Sequence, residues 1–252
     1  MKMDKLEPAL EQALKGHPHG EVFSFEAEGE RYWIKRPRRT GSNLLHRGVW
    51  HLSRFPILVP VQAQSPREAL LHESGKLRRL RERGLPVPEV LSVTDRYFVM
   101  RDTGTPLRKL LYRRDPDPRL TLGSFETLAR LHRTGEYHGG SQLRNLTWDG
   151  QRIHLIDFEE SFDGQIDRKV LQLRDLFLLL FSIAKDRIPI DYRQHIARYR
   201  EISGNDDFDR RLREMFQNFG WLEKIIAFPP LWRLLDKDTR ATYRLIQELK
   251  KL

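Results

Sequence analysis

The chain has no cysteine among its 252 residues, which excludes a disulfide framework and any thiolate zinc site. It also lacks a long apolar run. Its most apolar segments, Val49 to Val61 and Leu176 to Ile183, fall short of the roughly 20 residues that a spanning helix needs. No transmembrane segment is expected. The opening MKMDKLEPALEQALKG has acids among its apolar residues and no uninterrupted hydrophobic region of the signal-peptide kind, so it reads as a short amphipathic helix. Internal repeats, low-complexity tracts, zinc-peptidase motifs, a P-loop and nucleophile elbows are all missing.

What is present is positive charge. Lys and Arg number 45 against 35 Asp and Glu, a net charge of +10, and such a balance favours anionic partners: nucleotides, phosphorylated glycans, acidic lipid or nucleic acid. Residues 48–61, GVWHLSRFPILVPV, place Trp50 and Phe55 near Arg47 and Arg54, a composition suited to a bilayer surface or to a loop packed on the rest of the fold. Cytoplasmic residence, with possible peripheral contact at the inner membrane, is the matching expectation.

The first hundred residues are predicted to be strand-rich with one clear helix. EVFSFEAEGERYWIKR alternates apolar and polar positions across Glu28-Gly29, a hairpin signature that leaves Lys35 at the end of the second strand. Ser65-Pro66-Arg67-Glu68 combines an N-cap serine, proline at the first helical position and glutamate three residues on, and so opens a helix running to Arg83 and stopping at Gly84. Glu73 falls on that helix's apolar stripe with Leu70 and Leu77, so its carboxylate needs a cation, and Lys35 is the natural partner. Two more strands, around Val90 to Thr94 and Tyr97 to Arg101, lead to the turn-forming Asp102-Thr103-Gly104-Thr105-Pro106. A domain boundary is expected there, dividing residues 1–101 from a largely helical 102–252. In the helix beyond, Phe125, Leu128 and His132 share a face, and His132 is expected to pack in the core. Trp221, Phe228, Trp232 and Tyr243 read as packing residues of the tail.

The most informative stretch is HGGSQLRNLTWDGQRIHLIDFE, from His138 to Glu159. Asn145 and Asp157 are oxygen donors separated by two short strand-like segments, and Asp149-Gly150 between them is a two-residue hairpin signal. Such a turn sets the Asn and the Asp side by side, and Mg²⁺ takes a few oxygen ligands plus substrate phosphates.

This pattern resembles the catalytic core of the protein-kinase-like superfamily, where a His-x-Asp-x-x-x-x-Asn loop precedes an Asp-Phe-Gly metal motif. His138, Asn145, Asp157 and Phe158 match. The Ile-Asp-Phe-Glu ending, with Glu159 in place of Gly, and the Arg144-Asn145 pair are similar to the bacterial lipopolysaccharide-kinase branch, which phosphorylates inner-core sugars. The resemblance implies an α+β, two-lobed fold with an antiparallel-sheet N-lobe and a helical C-lobe. It implies ATP and Mg²⁺, with Asn145 and Asp157 as metal ligands and Lys35, held by Glu73, on the phosphates. It further implies that the segment carrying Arg101 and Thr103 meets the nucleotide as a hinge, that Glu159 belongs to the catalytic set, and that Asp175 braces the loop through backbone amides. The implied acceptor is a lipopolysaccharide-core sugar or related glycan; nucleic acid is not an expected partner.

The sequence departs from the pattern at three places. No G-x-G-x-x-G loop precedes the Lys35 strand, residues 36–65 lengthen the path from Lys35 to Glu73, and the base aspartate falls on Gly140. Glu159, Glu160 and Asp163 are the carboxylates close enough in sequence to replace it. Two other readings stay open: a pseudokinase that binds nucleotide and regulates a partner, and a basic module for lipid or nucleic acid.

Overall fold

The computed structural model describes residues 3–37, 59–112, 117–208, 210–212, 214 and 237–250. Trp50, Phe55, Arg47 and Arg54, most of the 36–65 insertion, and Trp221, Phe228 and Trp232 lie outside them.

A four-stranded antiparallel sheet, in the spatial order Val22–Ala27 (β1), Glu30–Lys35 (β2), Phe98–Arg101 (β4), Val90–Val93 (β3), forms the first half. Strands β1 (Val22–Ala27) and β2 (Glu30–Lys35) pair in register from Val22↔Lys35 to Ala27↔Glu30. Glu28 and Gly29 both take positive φ, 54° and 77°, which closes this hairpin in two residues with a turn that matches strand twist. Strand alternation turns Phe23, Phe25, Tyr32 and Ile34 toward helix α1 (Glu7–Gly16), where they bury Leu6 and Leu10. Lys35 follows Ile34 and so points to the opposite face.

That opposite face meets helix α2 (Pro66–Glu82), whose start is the full capping box read from the sequence: Ser65 Oγ accepts from Glu68 N–H, and the Glu68 carboxylate accepts from Ser65 N–H. A cap of this kind is worth about 1 kcal/mol. Leu70, Leu77 and Leu80 on its inner stripe are buried in the main core, each contributing about 1.5–3 kcal/mol. Strands β3 (Val90–Val93) and β4 (Phe98–Arg101) complete the sheet.

The chain then crosses at 102–104. Gly104, at φ 90°, lies so close to Trp148 that a Cβ there would stand 2.0 Å from the Trp148 carbonyl oxygen, so only glycine passes. This contact seats β5 (Thr105–Pro106) on the hairpin of β6 (Leu146–Trp148) and β7 (Ile153–Leu155), a second antiparallel sheet. Helices α3 (Leu107–Leu111), α4 (Pro118–Arg133), α5 (Arg168–Asp186), α6 (Tyr192–Ser203) and α7 (Lys237–Leu249) make up the rest. Phe125, Leu128, Leu176 and Leu180 anchor one continuous core beneath the second sheet. The fold is α+β, an antiparallel-sheet lobe followed by a helical lobe. No helix among the described residues is long and apolar enough to cross a membrane.

One sequence expectation is corrected. Asp149-Gly150 does not close a two-residue turn, because Trp148 pairs with Ile153 and four residues lie between. The Asp149 carboxylate accepts from the N–H groups of Gln151 and Arg152, so its side chain organises the longer loop and only Gly150 needs positive φ.

Candidate active site

The β6–β7 hairpin continues one pair beyond its strands, since Ile156 N–H donates to the Asn145 carbonyl at 3.0 Å. Asn145 therefore sits opposite Ile156 and one residue from Asp157. The Asn145 amide is oriented by its Nδ2, which donates to Gly140 O at 2.8 Å and so leaves Oδ1 as the group able to meet a cation. Asp157 has φ 67°, a left-handed conformation that costs a non-glycine residue on the order of 1 kcal/mol and marks a place where direction matters more than local comfort.

Asp157 turns its Oδ1 onto the Lys35 ammonium at 2.5 Å. The same ammonium meets Glu73 at 2.7 Å and Glu159 at 3.5 Å. One cation thus faces three carboxylates. Burial works against the Lys35 charge, but Glu73 and Asp157 outweigh it and hold its pKa above the ordinary lysine value. Burial, relieved by Lys35 and reinforced by Asp157 and Glu159, pushes Glu73 up to about 7. Oxygens of Glu73, Asp157 and Glu159 lie within 4.8 Å of one another, a spacing that a metal ion can bridge. Lys35, Glu73, Asn145 and Asp157 also line one cavity of about 240 Å³, with Val22, Met100 and Ile156 as its apolar walls. A hard, oxygen-seeking cation such as Mg²⁺ fits this donor set.

Beneath the cavity the loop from His138 to Asn145 is held by a network of hydrogen bonds. His138 stacks on Phe158 with ring centroids 4.3 Å apart; its Nε2 donates to Ile156 O and its Nδ1 accepts from Gly140 N–H. Acceptance at Nδ1 needs the neutral ring, and burial lowers its pKa to about 4. Asp175 is completely buried on α5 and accepts from His138 N–H at 2.6 Å, Gly139 N–H at 2.9 Å and His132 Nε2 at 3.2 Å. Burial alone would raise this carboxyl, but His132 and the loop amides hold it below its ordinary value. His132 is itself fixed from behind by the Tyr199 hydroxyl at 2.6 Å and is buried in the core.

The structure brings Lys35, Glu73, Asn145, Asp157 and Glu159 together. Arg101 and Thr103 are not among the residues that line the cavity. Arg101 reaches Glu89 and Glu30, and Thr103 Oγ1 shares a hydrogen bond with Thr147. The N–H groups of Arg101 and Asp102 already donate to Glu89 O and Arg31 O, so Met100, one residue earlier, is the wall that the strand presents. Two buried cations have no place among the expectations from sequence: Lys76, whose ammonium lies 4.0 Å from the centroid of the Tyr137 ring, and Arg174, which pairs with Glu160 at 3.0 Å. The available signal was a charge inside an apolar helical stripe.

No family model matches the chain. A protein of Haemophilus influenzae described only as uncharacterized is 23% identical over 252 residues, covering 98% of this chain and 97% of its own length. A probable bifunctional tRNA threonylcarbamoyladenosine biosynthesis protein of Methanocorpusculum labreanum is 29% identical over 173 residues, 68% of this chain and 32% of that protein. The chain thus spans about a third of its archaeal relative. Among solved structures, WaaP in complex with acyl carrier protein is similar at a TM-score of 0.49 and 16% identity, over 81% of this chain and 82% of that one. The chain itself presents the succession that the resemblance implies: a strand lysine ion-paired to a helix glutamate, a histidine loop ending in asparagine, and a hairpin delivering an Asp-Phe pair.

Proposed function

We propose that the protein is an ATP-dependent phosphotransferase whose acceptor is a hydroxyl of an anionic glycan, a lipopolysaccharide-core sugar or a relative of one. The observation that carries this reading is the meeting of Lys35, Glu73, Asp157 and Asn145 in one cavity between the sheet and the histidine loop. Phosphoryl transfer asks a protein mainly to position charged oxygens and to neutralise them. Lys35 would meet the nucleotide phosphates, with Glu73 fixing the direction of its ammonium. Asp157 and Asn145 would hold Mg²⁺, which when bound supplies positive charge to the phosphate oxygens. The division of labour follows a boundary at residues 101 and 102, with the nucleotide between 1–101 and 102–252. The net charge of +10 supports an acceptor that carries negative charge, and peripheral contact with an anionic membrane surface agrees with it.

Gly140 favours the second reading, a nucleotide-binding pseudokinase, because glycine offers the acceptor hydroxyl no proton acceptor. Both readings need nucleotide. Thermal melts with and without Mg·ATP test that shared step, and a ligand at a hundredfold excess over its Kd adds about 2.7 kcal/mol to stability. Unchanged melting at millimolar Mg·ATP would remove both.

A further inference from the structure

Gly140 and its neighbour Gly139 differ in what they would tolerate. Gly139 has φ 104°, and a Cβ there would lie 2.9 Å from Glu160 Cβ, so a side chain at 139 would push Glu160 away. Gly140 has an ordinary backbone. A Cβ there would rest in normal contact, 3.5 Å from Asn145 Nδ2 and 3.7 Å from Glu160 Oε1. The Glu160 carboxylate therefore adjoins the space that a side chain at position 140 would enter, beside the amide of Asn145.

That placement is built rather than incidental. Arg174 projects from α5, is buried, and holds Glu160 Oε2 at 3.0 Å while its guanidinium stacks 5.0 Å from the Phe162 ring. With Oε2 facing the Arg174 guanidinium, Oε1 is the oxygen nearer the loop. The neighbouring Asp175 anchors Gly139 N–H at 2.9 Å, so one turn of α5 fixes both the loop and the carboxylate against it.

We propose that Glu160 replaces the missing loop aspartate, its Oε1 accepting the proton of the acceptor hydroxyl during transfer, with Arg174 as its positioning residue. This rests on the phosphotransferase reading and names the base of that same site. As the acceptor O–H bond breaks, the proton passes to Glu160 and the oxygen bonds to the γ-phosphorus of ATP. The bond from that phosphorus to the β,γ-bridging oxygen breaks, and its electron pair leaves with ADP. The proton is then returned to water. The glycine pair is the complement of this arrangement: Gly139 permits the approach of the Glu160 backbone, and Gly140 leaves the carboxylate its room.

The test measures γ-phosphate transfer from Mg·ATP to lipopolysaccharide-core oligosaccharide and to water, alongside the Mg·ATP melting shift. Glu160→Gln is expected to lower kcat by about 10² to 10⁴-fold, the usual contribution of a general base, with the melting shift and the KM for ATP preserved. Adding Gly140→Asp to Glu160→Gln should return at least tenfold of the loss, because a carboxylate is restored from the other side of the same space. Arg174→Gln should lower kcat less than Glu160→Gln does and add little to it in the double variant. Should Glu160→Gln fail to fold, Glu160→Asp, which keeps the charge but withdraws the oxygen, is expected to lower kcat at least tenfold without changing nucleotide binding. Glu160→Gln with kcat near wild type, or loss that Gly140→Asp does nothing to restore, would overturn the proposal. A wild type that binds Mg·ATP and transfers to neither acceptor would also overturn it, leaving the nucleotide site intact. Absence of any Mg·ATP shift would instead sink the phosphotransferase reading itself.

Discussion

Asp175 and Glu73 are both buried carboxylates of the same site, and they are neutralised in opposite ways. Asp175 is met by N–H dipoles from the histidine loop and from His132. Those donors belong to packed backbone and core. Glu73 instead shares the Lys35 ammonium with Asp157 and Glu159. The first arrangement is complete as it stands and acts as a brace. The second joins three acids through one shared cation, and the proposed Mg²⁺ and phosphates would enter at that cluster.

The largest expected effect breaks the brace. Asp175→Ala would leave the His138 and Gly139 N–H groups and His132 without their acceptor, and loss of about 3–5 kcal/mol in chemical denaturation is expected. A loss under about 1 kcal/mol would show that the loop is held by other means. Next comes Asp157→Asn, which removes a metal-directed charge while keeping volume. Phosphate transfer should fall about 10²- to 10³-fold or more, as for loss of one preorganised charge contact, with stability close to wild type. Transfer that survives this substitution would contradict the ligand assignment.

Lys35→Met and Glu73→Gln sharpen the contrast from within the shared cluster. Each should weaken Mg·ATP binding, and the double variant should resemble the worse single one, a coupling of about 1–3 kcal/mol. Full additivity in nucleotide titrations would mean that the pair does not act as a unit. The smallest effect is in pH. Glu73 titrates near pH 7 when folded and near its ordinary 4.5 when unfolded, so between these the folded state holds more protons and stability falls as pH rises. Asp175 is held below its ordinary value, so its contribution is present above the unfolded pKa and is lost as pH falls through the folded one. Denaturation as a function of pH should therefore lose its neutral-range decline in Glu73→Gln and part of its acid sensitivity in Asp175→Asn. Added Mg²⁺ should flatten the neutral limb of the wild type alone.

Much of the site was legible because its parts lie on short-range periodicities. Lys35 follows from strand alternation, Glu73 from the apolar stripe after a capping box, and Asn145 with Asp157 from two strands about a turn. The Asp149-Gly150 turn was misread by two residues because a carboxylate that caps neighbouring N–H groups competes with the compact hairpin. Arg101 and Thr103 are placed by analogy with a hinge, and the N–H groups of Arg101 and Asp102 are engaged by Glu89 and Arg31. Glu160 was only one of three candidates, since nothing local sets its direction.

The sequence by itself determined the elements, the charge and the residue types of the site, because caps, alternation and helical stripes act over a few residues. The tertiary structure alone decided which carboxylates face which cations. Lys35 sits among Glu73, Asp157 and Glu159 because a strand, a helix and a hairpin converge there. Glu160 lies against Gly140 because Arg174 reaches it from α5 and Gly139, at positive φ, lets the chain approach. Such contacts join segments far apart along the chain, and their geometry depends on packing that no short window of residues encodes.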